Sequence, residues 1–436
     1  QSRGSEMCIR DRYTYDDKYV LSGSIRWDRS NLWGTNSKYQ NKPLWSVGGS
    51  WNIYKEKFFQ ADFVDMLKLR ASYGIGGNIG RNTAPYLIAS YYDSSLVDGM
   101  AGSVNTPPNK DIRWEKTTTV NVGVDFALFR HRLSGTIEYY NKYSVDLLAA
   151  INGSPTQGFG YTTLMTNNGK MVNRGVEITL SGEIIRQKDF SWNASLLYAF
   201  NRNKVKHISV QPSLWDSRIS MPTSYPMVGK PLYGIYAYKW AGLNENGDPQ
   251  VYDAENNVTS GPARDYHALV YCGTTVPIHN ASLTNVLRYK GFEFSAMLIL
   301  DAGHKLRSSN IPSINMSNGR ITSTAKGIVD RWTQPGDVTD VPRLLFSNDT
   351  ENFNTHRTEL YRYSDLFVYD ASNIRLSNIS LAYRVPAHWC KKISLSGARL
   401  QFNVENVATF AFDSKANYDL GGKVKPNYVW GLYLNF

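Results

Sequence analysis

The chain has 436 residues, of which 19% are charged and 13% aromatic, with 29 tyrosines. Soluble proteins average about 25% charged residues, so this composition, with a mean hydropathy of −0.40, indicates a two-faced β-sheet protein rather than a soluble enzyme. The 48 Lys and Arg outnumber the 37 Asp and Glu and give a net charge of +11. These basic residues are scattered instead of forming the stripe expected of a nucleic-acid-binding protein, so we predict no nucleic-acid partner.

The sequence also disfavours a helical membrane protein and a protein built on a zinc site or a disulfide framework. The longest apolar run is AMLIL at 296–300, whereas a membrane-spanning helix needs about 20 apolar residues. The three cysteines, Cys8, Cys272 and Cys390, have neither metal-ligand spacing nor the proximity of a disulfide framework. A β-barrel is compatible with both observations, because its strands carry only alternation.

The first residues, QSRGSEMCIRDR, contain neither the apolar region of a signal peptide nor strand alternation. They resemble the translated adapter sequence seen at the ends of metagenomic fragments. We therefore expect residues 1–12 to be a non-native tail, with the natural sequence beginning upstream, and residues 13–436 to form one structural unit.

Alternation with a period of two predicts strands through the rest of the chain. In TTVNVGVDFALF, Val120, Val122 and Val124 lie on one face, and Asn121 and Asp125 lie on the other. The same pattern occurs in RLSGTIEYY (132–140), GVEITLSG (175–182), SWNASLLYAF (191–200), GFEFSAMLIL (291–300) and ARLQFNVEN (398–406). In NIRLSNISLAYRV the parity changes between Leu376 and Ile379, which predicts a β-bulge or a strand leaving the membrane.

Short and long connections alternate between these segments. The short ones are 129–132, 185–189, 289–291 and 386–392, and the long ones are 75–112, 144–169, 204–230, 302–372 and 405–426. Tight turns on one side and long loops on the other are typical of outer-membrane barrels, whereas long loops are uncommon in compact soluble domains. The pattern predicts about a dozen strands, and it requires one more strand within 242–278.

The C-terminal segment NYVWGLYLNF has the most regular alternation. Its apolar side chains share one parity and comprise Tyr428, Trp430, Leu432, Leu434 and Phe436. A strand that ends on an aromatic residue in this register is the pattern that the outer-membrane barrel-assembly machinery reads, and its apolar face would then contact lipid. The alternative is an ordinary buried edge strand at the end of a domain.

No motif predicts catalysis or a bound cofactor, so we expect a protein that is not an enzyme. The glycines of GIGGNIG (74–80) do not fit a dinucleotide-binding loop, no HExxH or GxSxG occurs, and LNENGDPQVYDAEN (243–256) lacks the spacing of a calcium loop and is read as a turn. The best helix candidate is TSTAKGIVDRW (322–332). Four loop aromatics are candidates for stacking on a sugar ring or a peptide side chain, with loop packing as the alternative: Trp33, Tyr91, Tyr92 and Trp215.

Runs spread along nearly the whole chain after residue 12 resemble the SusC/RagA family of TonB-dependent outer-membrane transporters. They include LWSVGGSWNIYKEKFF (44–59), IRWEKTTTVNVGVDFALFRHRLSGTIEYYNKYSVDLL (112–148), VGKPLYGIYAYKWAGLN (228–244) and DASNIRLSNISLAYRVP (370–386). Each run is loosely matched, but their order and spacing are specific. The predicted fold is therefore all-β, an incomplete transmembrane antiparallel β-barrel that forms the C-terminal portion of a large plugged barrel.

The resemblance implies import of oligosaccharides or, in some members, peptides across the outer membrane of a Gram-negative bacterium. It also implies a SusD-like surface lipoprotein as a lid, and energy supplied by the TonB complex through an N-terminal region absent here. Complete barrels of this kind have about 22 strands. Two alternatives are a passive porin or structural barrel, and a soluble carbohydrate-binding or hydrolytic β-protein.

Overall fold

A computed structural model describes residues 5–29, 36, 43–78, 85–95, 99–153, 156, 163–212, 217–261, 263, 265–316, 324–347, 355–421 and 425–436. Within these residues, thirteen strands form one open antiparallel sheet. In spatial order they are β1 (Ser5–Tyr15), β2 (Tyr19–Arg29), β3 (Leu44–Asn52), β4 (Val64–Asn78), β7 (Glu115–Leu128), β8 (Leu133–Asn152), β9 (Thr163–Arg186), β10 (Phe190–His207), β16 (His279–Tyr289), β17 (Phe292–Ala302), β22 (Asn373–Arg384), β23 (Gly397–Ala411) and β24 (Asn427–Asn435).

The remaining strands pair in small sheets outside the large one. They are β5 (Ile88–Ser94) with β6 (Gly99–Thr106), β11 (Gly234–Tyr238) with β15 (Leu269–Thr274), β12 (Trp240–Leu243) with β13 (Pro249–Tyr252) and β14 (Val258–Thr259), β18 (Lys305–Arg307) with β21 (Val368–Asp370), and β19 (Asn315–Met316) with β20 (Leu345–Phe346). The α-helices are α1 (Ser217–Ser220), α2 (Thr355–Arg362), α3 (Ala387–Lys391) and α4 (Asn417–Leu420). In the described part of the chain, no helix has the length and apolar character needed to span a membrane.

Consecutive strands of the large sheet are joined alternately by short and long connections, as predicted. One end of the sheet carries the connections 16–18, 53–63, 129–132, 187–189, 290–291 and 385–396, and the other end carries 30–43, 79–114, 153–162, 208–278, 303–372 and 412–426. We call these the short-turn end and the long-loop end. Strands β8 and β9 have 20 and 24 residues, whereas a tilted strand crosses a bilayer in about 9–11. These strands therefore extend past the membrane into segments that the sequence had assigned to loops.

The structure tests three local predictions: a β-bulge, an additional strand and a helix. Only the bulge is confirmed. The bulge is confirmed, since the pairing of β22 with both neighbours shifts register next to Leu376. The strand expected within 242–278 is not there, because the described residues of that segment pair only in the small sheets, and the missing strand is β16, which begins at His279. The helix expected at 322–332 is only a 3-10 turn over Lys326–Asp330, and the preceding Ala325 provides no side-chain cap.

The segment 5–12, which lacks apolar alternation, is part of the sheet. Strand β1 starts at Ser5 and pairs with β2 along its whole length, from Ser5 opposite Arg29 to Tyr15 opposite Tyr19. Residues 5–12 thus form a strand although they lack apolar alternation, because backbone pairing with β2 does not depend on it. The non-native origin of residues 1–12 stays a prediction.

Candidate functional site

The two faces of the large sheet have opposite chemistry. One row of directly paired residues crosses eleven strands and is entirely apolar or aromatic, namely Tyr19, Trp51, Leu69, Val124, Ile137, Ile178, Tyr198, Ala281, Leu300, Ile374 and Phe410. The neighbouring row points the other way and is mostly polar, namely Ser50, Arg70, Gly123, Glu138, Glu177, Ala199, Asn280, Asp301 and Asn373. Alternation of this kind puts lipid on one face and water on the other.

The apolar face is not sealed inside a core. Val122 is 41% exposed, and Val120 and Val124 are half-buried on the same face. A valine row packed between two sheets would be almost fully buried. The exposure therefore fits a surface that contacts hydrocarbon, and we call the opposite side the luminal face.

An ionic network lies on the luminal face at β4, β7 and β8. The Arg70 guanidinium donates from Nε to Asp125 at 3.1 Å and from Nη2 to Glu138 Oε2 at 2.7 Å. Asn121 Nδ2 donates to Glu138, and Thr136 Oγ1 donates to Asp125 at 3.1 Å. All these residues are on strands, so the network is held on a rigid wall.

The network borders an open cavity of about 260 Å³ on the same face. Its polar lining includes Arg12, Ser22, Ser50, Lys68 and Asn121. Such a surface offers hydrogen-bond donors and acceptors to a hydrated ligand. Sequence reasoning had placed Asn121 and Asp125 on the non-lipid face but had not selected them as a site, since neither the partner Arg70 nor the partner Glu138 is near them in the sequence.

A second cavity of about 360 Å³ lies toward the long-loop end, where β8, β9 and β10 extend past the membrane. Its lining is mainly aliphatic and includes Leu147, Met165, Met171, Val205 and Leu232. Asn203 Nδ2 contacts Met171 Sδ at 3.5 Å, and Asn203 Oδ1 accepts from the Leu232 backbone N–H at 2.9 Å. The connection 208–278 is thereby fixed to the wall of this cavity.

The connections 208–278 and 303–372 pack together into a lobe outside the sheet. Its core contains Tyr236, Tyr238, Val251, Leu269 and Leu360. Asp248 accepts from Arg343 Nη2 at 2.8 Å and from Arg357 Nε at 2.7 Å, and Arg357 is only 2% exposed.

The segment read as a turn rather than a calcium loop does form turns in this lobe. Asn244 Oδ1 accepts from the backbone N–H groups of Asn246 and Asp248 at 3.0 and 2.9 Å.

Buried polar groups hold the lobe's elements together. The Arg307 guanidinium donates to the carbonyl oxygens of Tyr236, Arg362 and Ser364 at 2.7–3.2 Å. Burial lowers the pKa of Arg307, but an arginine stays protonated at neutral pH. The lobe is thus a folded unit and not a set of independent loops.

The predicted ligand-binding aromatics are only partly in the described chain. Trp33 and Trp215 lie outside the described residues. Tyr91 and Tyr92 lie in the β5–β6 hairpin of connection 79–114 and are 72% and 53% exposed. They are adjacent in β5, so their rings point to opposite faces of the hairpin, and both rings are accessible at the long-loop end. Their role in ligand binding stays a prediction.

The C-terminal strand pairs with β23, and its apolar residues of one parity lie opposite apolar residues. Tyr428, Trp430, Leu432 and Leu434 are opposite Val404, Phe402, Leu400 and Ala398, respectively. The Trp430 and Phe402 rings lie 4.3 Å apart, and Phe436 is 92% exposed. The apolar side chains of β24 therefore continue the lipid-facing row.

Residues 4–407 match the family described as TonB dependent receptor-like, beta-barrel. The chain belongs to this family. It is 27% identical over 97% of its length to TonB-dependent receptor P3 of Formosa agariphila, and 25% identical over 91% of its length to TonB-dependent receptor SusC of Bacteroides thetaiotaomicron. The alignments cover 43% and 39% of those two proteins, so the chain spans less than half their length.

A solved structure has the same fold. The structure titled "Structure of the RagAB peptide transporter" superposes with a TM-score of 0.81 and 23% identity, over 100% of this chain and 48% of that one. The large sheet is thus the incomplete barrel of a SusC/RagA-like protein. This TonB-dependent receptor barrel belongs in the outer membrane of a Gram-negative bacterium, and its family is one of receptors and transporters, not of enzymes. The soluble carbohydrate-binding or hydrolytic alternative is wrong.

Proposed function

We propose that the gene product carrying this chain imports oligosaccharides across the outer membrane, with energy from the TonB complex. The observation that carries the proposal is the pair of adjacent rows, an apolar row across eleven strands on the lipid face and a mostly polar row across nine strands on the luminal face. A polar lumen suits a hydroxyl-rich solute. Membership of a TonB-dependent receptor family favours energised import over the passive-porin alternative.

In this proposal the substrate is captured at the long-loop end and released into the lumen. The exposed Tyr91 and Tyr92 rings stack on sugar rings, and the Arg70, Asp125 and Glu138 wall exchanges hydrogen bonds with hydroxyl groups. A SusD-like surface lipoprotein covers the long-loop end. The TonB complex acts through a region outside this chain.

One observation favours peptides as a second substrate class. The 360 Å³ cavity has a mainly aliphatic lining, bordered by Glu115, Lys170 and His207, and no Phe, Tyr or Trp side chain among its lining residues, so it fits an apolar amino-acid side chain better than a sugar ring. The solved structure with the same fold is titled a peptide transporter.

The proposal is tested by uptake of labelled oligosaccharides and labelled apolar peptides in cells that carry or lack the gene. Deletion should abolish oligosaccharide uptake, and Tyr91→Ala with Tyr92→Ala should reduce it about thirtyfold or more, because aromatic stacking contacts are each worth about 1–3 kcal/mol. Tyr289→Ala, an exposed tyrosine at the short-turn end, is the control and should not change uptake. Unchanged oligosaccharide uptake after deletion contradicts the proposal for that ligand, and loss of peptide uptake alone supports the second class.

A further inference from the structure

The lipid-facing surface changes from apolar to basic at the long-loop ends of β9 and β10. On β10 the row runs from Tyr198 and Phe200 to Arg202 and Lys204. On β9 the matching row runs from Ile178 and Val176 through Arg174 and Val172 to Lys170. We call Lys170, Arg174, Arg202 and Lys204 the cationic belt.

Pairing fixes which way these side chains point. Arg202 is directly opposite Arg174, and Lys204 is opposite Val172. Gly175, the next residue on β9, is packed under the Tyr140 side chain on the luminal face, so Arg174 is on the lipid side. Arg174 Nε also donates to Asn141 Oδ1 at 3.2 Å, and Asn141 follows Tyr139 on the lipid-facing side of β8.

The belt has no internal charge compensation. All four side chains are exposed, and in the part of the chain that the structure describes none of them forms an ion pair. The lipid-facing residues of β8 at the same height are Asn141, Tyr143 and Val145, none of them acidic. Like charges directly opposite on neighbouring strands destabilise a sheet. A bound anion between Arg174 and Arg202 would remove that repulsion.

The belt lies at the depth of lipid headgroups. Arg202 is four residues beyond Tyr198, about 13 Å along the strand, or about 10 Å in height for a strand tilted by about 40°. Tyr198 and Tyr139 are at the aromatic boundary of the apolar band. The long-loop end of such a barrel faces outward, so the headgroups at this depth belong to the outer leaflet.

We propose that the cationic belt binds the phosphate groups of a phosphorylated glycolipid of the outer leaflet, the lipid A part of lipopolysaccharide. A phosphate between Arg174 and Arg202 accepts charge-assisted hydrogen bonds from both guanidinium groups. Its acyl chains lie along Val176, Ile178 and Tyr139, which continue the same face toward the membrane centre. The inference depends on the barrel orientation and is independent of the transported substrate.

The test measures glycolipid that co-purifies with the gene product extracted from its own outer membrane, as moles of lipid A per mole of protein by mass spectrometry. Arg174→Gln with Arg202→Gln should lower this ratio about a hundredfold, since hydrogen bonds to charged groups are worth roughly a factor of ten each. The control removes two charges elsewhere, Lys142 on the luminal face and Lys239 in the lobe, each changed to Gln. It should retain the wild-type ratio.

Further measurements keep the proposal falsifiable if the Gln pair folds poorly. Arg174→Lys with Arg202→Lys preserves charge and should keep at least half of the lipid. In vesicles, wild-type protein should retain phosphorylated lipid A and not the dephosphorylated form, and about 10 mM inorganic phosphate should not displace it. Equal retention by the Gln pair, equal retention of dephosphorylated lipid, or displacement by free phosphate would overturn the proposal.

Discussion

Gly135 in β8 lies where its neighbours leave no room for a side chain. A Cβ there would be 2.6 Å from the Thr179 carbonyl oxygen, 2.7 Å from Leu180 Cδ2 and 2.8 Å from Phe126 Cζ. The Phe126 ring covers the glycine from the neighbouring strand, on the lipid-facing side of the sheet. The absence of a side chain thus lets three strands pack closely on the lipid-facing side.

We predict that Gly135→Ala destabilises the folded barrel by about 1–3 kcal/mol, because the added methyl group forces backbone or ring displacement. The measurement is the urea midpoint of heat-modifiable migration on SDS gels. Gly182→Ala is the matched control, since Gly182 is opposite Leu133 and its nearest neighbours would be 3.7 Å from a Cβ. Equal midpoints for the two variants would contradict the packing described here.

Cys272 in β15 shows how burial in the lobe changes reactivity. Burial raises the pKa of its thiol to about 11, and Asp365 acts in the same direction. Since an unfolded cysteine has a pKa of about 8.5, the folded thiol keeps its proton to higher pH. The Cys272 thiol therefore contributes fully to the free energy of unfolding below about pH 8.5, and this contribution falls as the pH rises toward about 11.

We predict slow alkylation of Cys272 at about pH 8, with a rate that keeps rising until about pH 11. The protein carries Cys8→Ser and Cys390→Ser, so that one thiol is followed by mass spectrometry. The same protein in denaturant is the control and should reach its maximum rate near pH 9. A folded-state rate that levels off near pH 9 would show that the thiol is not in a desolvated environment.

Strands, tight turns and faces could be read from the sequence because period-two alternation is a local signal. The lipid-facing parity of Val120, Val122 and Val124 and the parity change at Leu376 are examples. Strand β16 was missed because its sequence, HNASLTNVLRY, has polar residues on both faces. Its lipid-facing Asn285 is satisfied by Trp192 Nε1 at 3.1 Å, a partner 93 residues away.

The lobe could not be predicted because its contacts are non-local and have no period. Asp248 meets Arg343 and Arg357 across 95 and 109 residues. The Arg70 network has the same character, with partners 55 and 68 residues apart on different strands. Charged residues at such separations carry no sign of their pairing in a single sequence.

The Asp248 cluster leads to a prediction for the lobe. Arg357→Ala should destabilise the lobe by about 2–5 kcal/mol, because it empties a buried site and removes the donor to the Arg343 carbonyl oxygen and to Asp248. Limited proteolysis should then cut within 208–278 or 303–372 while the strands of the large sheet stay resistant. Arg288→Ala, which removes an exposed ion pair with Glu293, is the control, with an expected cost of about 0–1 kcal/mol. A proteolysis pattern equal to the control would contradict the role given to Arg357.

At the scale of the whole molecule, two adjacent residues report which face meets lipid. Ile178 is in the apolar row between Ile137 and Tyr198, and Thr179 is on the luminal face opposite Thr136 and Leu197. We predict that Ile178→Lys costs about 1–2 kcal/mol, less than at the membrane centre because its partner Tyr198 marks the aromatic boundary. The variant should still lower the amount of barrel in the outer membrane, because it places a charge in hydrocarbon. Thr179→Lys should be tolerated. Equal amounts of the two variants in the membrane fraction would reverse the assignment of the faces.

The open edges of the sheet determine how the chain behaves by itself. Strands β1 and β24 each have a hydrogen-bonded neighbour on one side only among the described residues. An unpaired edge is a template for aggregation in water and leaves backbone groups unsatisfied in lipid. The long apolar face, ending at the 92% exposed Phe436, adds a second cause of association.

We therefore predict that residues 13–436 produced alone in the bacterial cytoplasm form inclusion bodies, measured as the pelleted fraction after lysis. The control is the gene product exported to the outer membrane, which should be extracted only with detergent. A monodisperse soluble monomer by light scattering would contradict the prediction, because water leaves the two strand edges open to pairing with other chains and the apolar face exposed.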